Sequence, residues 1–290
     1  MKSAMQKISA VIITFNEEKK IAQCLNSLQD IADEIVVLDS FSTDSTAQIC
    51  KQFGVKFFQQ NWRGYGQQKN DAAARASHDY IISLDADERL SSPLQQSIMT
   101  VKKAGLSGVY QMNRLNNFYG YDLHHGNTYP DRTKRIYNRT EVRWSLRPVH
   151  ERLNIPGNIL ITQLEGDILH RSKDSIEEHV AGINAYSSMS SQVYFDAGKR
   201  SSLFKMLLSP AFTFINGYFL RLGFLDGYAG FIMAKINAQE SFLKYSKLLL
   251  LKKNSLKNNY DVTTGINRSG LAKQGTLKKS NLFRRGKRFN

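Results

Sequence analysis

Residues 80–90 read YIISLDADERL, and this stretch decides how the rest of the chain is interpreted. A short run of β-branched and apolar residues that ends abruptly in charge is typical of a buried strand. The carboxylates of Asp85, Asp87 and Glu88 follow directly; they repel one another and are costly to remove from water. A divalent cation relieves both costs, and oxygen ligands of this kind suit Mg²⁺ or Mn²⁺. The simpler alternative is a strand-to-loop turn whose acids face water.

The chain before this stretch alternates between apolar strands and helices. Strands are predicted at 8–15, 34–40, 55–59 and 80–84, with a helix after each of the first three. This alternation predicts an α/β fold with a mostly parallel, Rossmann-like sheet flanked by helices. Ligands bind such sheets beyond the carboxyl ends of the strands. Polar residues at three of those ends should therefore converge on one site: Thr14, Asn16, Asp39, Asp85 and Asp87. Asn16 is also expected to cap the first helix.

Several motifs together carry a family resemblance. TFNE at 14–17, VVLDS at 36–40, GYGQQKN at 64–70 and LDADE at 84–88 resemble the nucleotide-sugar-binding half of family 2 glycosyltransferases. PDRTKRIYN and WSLRPVHE, further along the chain, resemble one bacterial branch, the lipopolysaccharide inner-core β-1,4-glucosyltransferases that add glucose to a heptose. The resemblance covers about residues 7–250 and implies the type A glycosyltransferase fold.

The resemblance also implies roles for individual residues. Asp39 would accept a hydrogen bond from the uracil ring and so select the base. Asp87 would coordinate Mg²⁺ or Mn²⁺ between the two phosphates, and Asp85 would bind the ribose or the water shell of the metal. The uridine pocket would be lined by Thr14, Asn16 and Glu17. Nearby cations would neutralise the leaving diphosphate, and these are Arg63 and Lys69.

Inverting transfer needs a base that takes the proton of the acceptor hydroxyl. Glu151 and Asp131 are the two candidates, and Glu151 is preferred because it ends a loop where a carboxylate would face the sugar. His150 could complete the metal shell or hold a phosphate, although an ordinary loop histidine is the alternative. The diphosphate or an anionic acceptor would be contacted by Arg132 and Arg135. His124 and His125 are expected in a solvated loop, since no third ligand has zinc-like spacing.

The distribution of charge and apolar residues points to a membrane surface. The net charge is +15, and residues 252–290 supply +10 of it, from eleven Lys or Arg against Asp261. Residues 201–251 are strongly apolar but broken by glycines, a proline and cations, which favours interfacial helices over a membrane span. The basic tail is predicted to be disordered and attracted to acidic lipids, and nucleic acid is the less favoured partner.

These patterns predict three regions, and the resemblance to the lipopolysaccharide glucosyltransferases implies the function. Residues 1–172 would form the nucleotide-sugar-binding and catalytic domain, 173–251 a helical membrane-associated region, and 252–290 the basic tail. The expected enzyme moves glucose from UDP-glucose to a heptose of a lipid-linked core oligosaccharide, at the cytoplasmic face of the bacterial inner membrane. Cys24 and Cys50 fit reduced core residues of a cytoplasmic protein. The alternatives are a sugar transferase acting on polyprenyl phosphate or another cell-envelope glycan, and a non-enzymatic basic binding protein.

Overall fold

The computed structural model describes residues 6–147 and 151–263. The strands are β1 (Ile8–Thr14), β2 (Glu34–Asp39), β3 (Lys56–Gln59), β4 (Tyr80–Asp85), β5 (Glu88–Leu90), β6 (Val109–Phe118), β7 (Tyr121–Leu123), β8 (Asp131–Asn138), β9 (Arg143–Trp144), β10 (Leu153–Asn154) and β11 (Ile161–Lys173). The helices are α1 (Ile21–Leu28), α2 (Thr46–Gln52), α3 (Tyr65–Ala74), α4 (Ser92–Ala104), α5 (Ile176–Asp196), α6 (Leu203–Ile215) and α7 (Gly227–Thr263). The predicted alternation of strand and helix up to residue 90 is confirmed.

Within the described residues, nine strands form one sheet in the order β3-β2-β1-β4-β8-β6-β11-β5, with β7 paired to β6. The first four strands of this order are parallel. β8 is antiparallel to both β4 and β6, and β5 is antiparallel to β11. The strands that the alternation up to residue 90 predicts to be parallel, β1 to β4, are parallel. The strands after residue 90 add antiparallel pairs, so the sheet as a whole is mixed.

The central strands are buried on both faces. Alternate residues of β1 face opposite sides, with Ile12 packing among α1 and α4 and Val11 packing towards α3. One face of α1 packs into this core, since four of its residues at helical spacing are buried: Ile21, Cys24, Leu25 and Leu28. Both cysteines are free and buried, as expected. Because both faces of the central strands are covered, a ligand could reach these strands only at their ends.

The register of the parallel strands brings their polar ends together. Asp39 lies beside Thr14 across β2 and β1, and Asp85 lies beside Ile13 across β4 and β1. Because neighbouring strands are about 4.8 Å apart, the backbones at Asp39 and Asp85 are about 10 Å apart. The predicted convergence of three strand ends on one edge is therefore what the structure contains.

Beyond β11 the described chain is helical. α6 packs along α7, and the segment Leu203–Leu220 is long and apolar enough to cross a membrane by length and composition, with 6% of it buried. The interruptions at Pro210 and Gly217 favour an interfacial position for this segment, and that position stays a prediction. Eighteen residues of helix span about 27 Å, slightly less than a hydrocarbon core, and one such helix is weak evidence of a span.

The expected start of a disordered tail at residue 252 is wrong for the described part of that tail. α7 continues without interruption to Thr263. No glycine or proline occurs between Gly230 and Gly265, so nothing in the sequence stops the helix near residue 251. Residues 264–290 lie outside the described residues. The predicted domain boundary at 172 stays a prediction, although β11 ends at Lys173.

Candidate active site

The loop after β1 and the loop after β2 are joined by hydrogen bonds. Asn16 has a left-handed φ of 53°, and its Oδ1 accepts a hydrogen bond from the backbone N–H of Thr43 at 2.8 Å. Its predicted role as a helix cap is wrong, since α1 begins only at Ile21. Asparagine tolerates this backbone conformation well because its short amide can bond locally. The backbone N–H of Glu17 donates to Oγ1 of Thr46 at 2.9 Å. The two loops therefore form one rigid wall.

Asp39 lies under this wall and is fully buried. Its carboxylate accepts hydrogen bonds from the backbone N–H of Ser42 at 2.8 Å, from the hydroxyl of Ser42, and from Nε2 of Gln59 at 3.0 Å. Beside it, Oγ1 of Thr14 is buried without a hydrogen-bond partner among the described residues. A buried hydroxyl of this kind usually has a partner, so a ligand or a water at this edge would satisfy it.

Asp85 is held by two buried cations. Nζ of Lys69 lies 3.2 Å from Oδ1, and Nη2 of Arg135 lies 3.2 Å from Oδ2. Burial alone would raise the pKa of Asp85, but Lys69 and Arg135 outweigh it and hold that pKa well below its usual range. Asp85 is therefore a carboxylate fixed in its ionised form.

The ion pairs continue from Asp85 in both directions as one chain of alternating charge. Its order, with every neighbouring pair in contact, is Asp131–Arg114–Glu88–Arg135–Asp85–Lys69–Glu151. Glu88 is fully buried between Arg114 at 3.2 Å and Arg135 at 2.6 Å, so it does not join a metal site. Four carboxylates against three cations leave this charge network with a formal charge of −1.

Both candidate bases lie at the ends of the charge network. Oε1 of Glu151 accepts a hydrogen bond from Nζ of Lys69 at 2.9 Å, and the Glu151 side chain is 17% exposed. Asp131 accepts two hydrogen bonds from Arg114 through a single oxygen, at 2.6 and 2.8 Å. Since Lys69 also contacts Asp85, Glu151 lies at the edge where the strands end. Asp131 is separated from Asp85 by four successive ion pairs, whereas Glu151 is separated from it by two.

Lys69 is placed differently from the sequence prediction. Its side chain is 2% exposed, and Nζ lies 4.6 Å from the centre of the Trp144 ring. Lys69 is enclosed by Asp85, Glu151 and the Trp144 indole. It therefore positions the two carboxylates and is not exposed for the phosphate contact that the sequence predicts. Arg63 pairs with Asp71, which follows Lys69 by two positions and so lies on the opposite side of α3.

The two arginines of β8, Arg132 and Arg135, lie in different environments. Arg135 is buried in the charge network, with Nε and Nη1 lacking hydrogen-bond partners among the described residues. Arg132 is exposed and lines a groove against the C-terminal helices. The predicted grouping of Arg132 with Arg135 is therefore not what the structure contains.

Asp87 faces His170, which is not among the site residues predicted from the sequence. Oδ2 of Asp87 lies 3.4 Å from Nε2 of His170, at the end of β11. Burial alone would raise the pKa of Asp87, but the hydrogen bond and charge of His170 outweigh it and lower that pKa. His150, the predicted metal ligand, lies outside the described residues.

The partners of His170 test whether this pair could hold a cation. Nδ2 of Asn116 donates to the carbonyl oxygen of Thr128 at 3.0 Å, which turns Oδ1 of Asn116 towards Nδ1 of His170 at 2.7 Å. In the protonated imidazole both ring nitrogens donate, Nδ1 to Asn116 and Nε2 to Asp87; when the Nε2 proton is lost, Nε2 presents a lone pair towards Asp87 instead. Metal-binding histidines are typically oriented by such a hydrogen bond. A cation between Nε2 and the carboxylate would satisfy both groups, so the pair fits one.

Within residues 6–147 and 151–263, no three His, Cys, Asp or Glu side chains are grouped closely enough to hold a metal by themselves. Asp87 and His170 would thus supply two ligands and leave the others to water and phosphate oxygens. Mg²⁺ and Mn²⁺ are commonly bound in this way at phosphate sites.

Aromatic side chains border the carboxylates. The rings of Trp62 and Tyr65 meet edge-on with their centres 4.7 Å apart. Burial, the nearby Tyr186 and the carboxylates of Asp85 and Glu151 raise the pKa of Tyr65 above its ordinary value. Tyr65 is therefore a neutral phenol at the edge of the site, and its hydroxyl can donate a hydrogen bond.

Gly66 lets α3 approach the loop that carries Glu151. A Cβ at this position would overlap the carbonyl oxygen of Ser145 and lie 3.7 Å from Cβ of Glu151. We expect Gly66→Ala to lower the free energy of unfolding by about 1–3 kcal/mol, because backbone must shift. Denaturant unfolding measures this. Gly157→Ala is the matched control, since nothing lies within 4 Å there, and its effect should stay within about 0.5 kcal/mol. Equal effects for both variants would contradict this packing.

The fold and the site define the class of the protein. The sheet, with helices on both faces and carboxylates at the ends of its parallel strands, agrees with the expected type A glycosyltransferase fold. The model of the family described as glycosyl transferase family 2 matches residues 9–163. The chain belongs to this family and is a glycosyltransferase.

Two relatives that match over most of their length agree with this assignment. An uncharacterized glycosyltransferase of Rickettsia felis is 32% identical and covers 86% of this chain and 93% of its own. The lipopolysaccharide core biosynthesis glycosyltransferase LpsC of Rhizobium meliloti is 31% identical, covering 83% of this chain and 91% of its own. Among solved structures, residues 1–349 of S. aureus TarS in complex with UDP-GlcNAc match with a TM-score of 0.43 and 15% identity, over 87% of this chain and 92% of that one.

Proposed function

We propose that the protein transfers glucose from UDP-glucose to a heptose of the lipopolysaccharide inner core, with Glu151 as the base. The observation that carries the mechanism is the contact of one buried cation, Lys69, with both Asp85 and Glu151. It fixes the candidate base next to the edge where a donor would bind. The name of the relative LpsC supports lipopolysaccharide core synthesis as the setting.

The donor would lie along the edge formed by β2, β1 and β4. Thr14, Asn16, Glu17 and Asp39 line the end where the uridine would bind, and Asp85 is about two strand spacings away. The unsatisfied hydroxyl of Thr14 supports this orientation. A carboxylate offers about four acceptor sites, so Asp39 would accept the uracil N–H alongside its hydrogen bonds from Ser42 and Gln59.

Asp87 and His170 would hold the divalent cation. When bound, this ion would stabilise the negative charge that develops on the departing diphosphate. A nitrogen ligand favours Mn²⁺ over Mg²⁺, which prefers an all-oxygen shell. Asp85 would assist indirectly, because Lys69 and Arg135 already neutralise its charge.

In the transfer step, the acceptor oxygen bonds to the anomeric carbon while the bond from that carbon to the diphosphate oxygen breaks. Glu151 takes the proton of the acceptor hydroxyl. Lys69 keeps the Glu151 carboxylate in position through its hydrogen bond at 2.9 Å. A positioned carboxylate favours a hydroxyl acceptor over a polyprenyl phosphate, since phosphate needs no base to attack.

Turnover measured with a panel of donors and acceptors tests this proposal. We expect UDP-glucose to exceed UDP-galactose, UDP-N-acetylglucosamine and GDP-mannose, with lipopolysaccharide truncated at the inner core as the acceptor. Formation of a heptose-linked glucose, identified by mass spectrometry, is the expected product. Transfer to polyprenyl phosphate with no transfer to the truncated core would overturn the proposed acceptor and leave the family assignment intact.

The C-terminal helices would hold the enzyme at the inner face of the membrane. Phe204 and Phe212 of α6 are 74% and 64% exposed, an unusual amount for phenylalanines on one helix. We expect Phe204→Glu to weaken binding to lipid vesicles about 10- to 100-fold, because burying such a side chain contributes about 1.5–3 kcal/mol. Sedimentation with vesicles measures it. Leu160→Glu is the control, with the same change in charge at a residue that is 67% exposed on the catalytic sheet side. Equal losses for both variants would contradict a role for α6.

A further inference from the structure

A groove of about 520 Å³ lies between the catalytic sheet and the C-terminal helices. The residues that line it include His124, Tyr129, Arg132, Leu220, Arg221 and Leu222. Arg132 follows Asp131 in β8, and consecutive strand residues point to opposite faces. The groove is therefore separate from the charge network, although it begins one residue beyond the end of that network.

The groove contains cations without acids. Among the described residues, no Asp or Glu lines it, and neither Arg132 nor Arg221 has an ion-pair partner. Asp226, from the turn before α7, is already engaged by His125, through Nδ1 at 2.7 Å and the backbone N–H at 2.9 Å. Two guanidinium groups from separate elements attract an anion to a groove of this kind. Their planar donor pairs match the oxygens of a phosphate.

The groove opens directly onto the apolar surface. Leu220 and Leu222, which line it, are 68% and 46% exposed, and the neighbouring Phe219 is 54% exposed. Leu222 has a left-handed φ of 58°, which is strained for a branched residue. Arg221 is fixed beside it, because its carbonyl oxygen accepts a hydrogen bond from the backbone N–H of Gly126 at 2.9 Å. Cations for a headgroup and apolar side chains for acyl chains thus lie next to each other.

We propose that this groove binds the phosphate headgroup of an acidic membrane lipid and so fixes the orientation of the enzyme on the bilayer. The ligand class is a phosphomonoester on a lipid, held by Arg132 and Arg221, with its acyl chains along Leu220 and Leu222. This inference rests on the proposed membrane association, and it adds a specific headgroup site to a surface that would otherwise bind lipid only by apolar contact and general charge.

Vesicle binding of the full chain tests the site. The vesicles contain phosphatidylcholine alone, with phosphatidic acid, or with phosphatidylglycerol at a matched surface charge. We expect preference for phosphatidic acid in the unaltered protein and a roughly 30-fold loss of affinity for those vesicles in Arg132→Gln/Arg221→Gln. The variant Arg132→Lys/Arg221→Lys should keep affinity but lose the preference between the two acidic lipids, because lysine lacks the paired donors.

The control is Lys103→Gln/Arg143→Gln, which removes the same charge from exposed positions on α4 and β9. It should keep the preference for phosphatidic acid. Inorganic phosphate should reduce that preference more than chloride at equal ionic strength. An unchanged preference in the glutamine variant, or an equal loss in the control, would overturn the headgroup site while leaving membrane association in place. No binding to any vesicle would instead refute the membrane association itself.

Discussion

Glu151→Gln should reduce the rate of sugar transfer by about 10²- to 10⁴-fold, the usual contribution of a general base. Glutamine keeps the size of the side chain and can still accept a hydrogen bond from Lys69, but it cannot take a proton from the acceptor. Binding of UDP should stay within about twofold, since Glu151 is expected to face the acceptor. Single-turnover kinetics and calorimetric titration with UDP measure the two quantities separately.

The matched control is Asp131→Asn, the same chemical change at the other end of the charge network. Arg114 would lose its two hydrogen bonds to a carboxylate, so a moderate loss of stability is expected. Turnover, measured at a temperature where the variant is fully folded, should fall far less than in Glu151→Gln. If Asp131→Asn abolishes transfer while Glu151→Gln remains active, Asp131 is the base and the proposed assignment is wrong.

Asp87→Asn should remove the effect of Mn²⁺ on UDP binding. The change keeps the shape of the side chain but removes the charge that a divalent cation needs, so the gain in UDP affinity with Mn²⁺ should fall by about 10- to 100-fold. His170→Gln should have a similar effect. Calorimetric titration of UDP in the presence of Mn²⁺ or of a chelator measures this without relying on turnover.

Asp79→Asn provides the control for this experiment. Asp79 immediately precedes β4, whereas Asp87 lies beyond its other end, and its side chain is 64% exposed. The Asp79→Asn variant should show the same gain in UDP affinity with Mn²⁺ as the unaltered protein. A Mn²⁺ effect that survives in both Asp87→Asn and His170→Gln would show that the cation is held elsewhere.

Much of the donor side could be predicted from local sequence. Apolar runs of strand length, each followed by a helix, are enough to place β1, β2 and β4 side by side. A parallel arrangement then brings Asp39 and Asp85 to the same edge. These inferences work because they depend only on periodicity and on the general behaviour of parallel sheets.

The partners of the carboxylates could not be predicted in this way. His170 is far from Asp87 in the chain, and they meet because β11 pairs with β5 and places His170 opposite Glu88. Nothing local to either strand specifies that pairing. The sequence shows the charge of Lys69 but not its burial, and only the packing of α3 turns that charge inwards. The basic, polar composition after residue 251 favours a disordered tail, although no Gly or Pro ends the helix there and α7 continues to Thr263.

The alternating order of charges between Asp131 and Glu151 has a consequence for how this enzyme can change. Removing one residue of the charge network leaves its neighbours without an ion-pair partner. The effects of two substitutions on stability should therefore be far from additive, and double-mutant cycles would measure this coupling. Replacing Glu88 and Arg135 together with an apolar pair should be tolerated better than either replacement alone. As the sequence diverges during evolution, both residues of such an ion pair would therefore be replaced together.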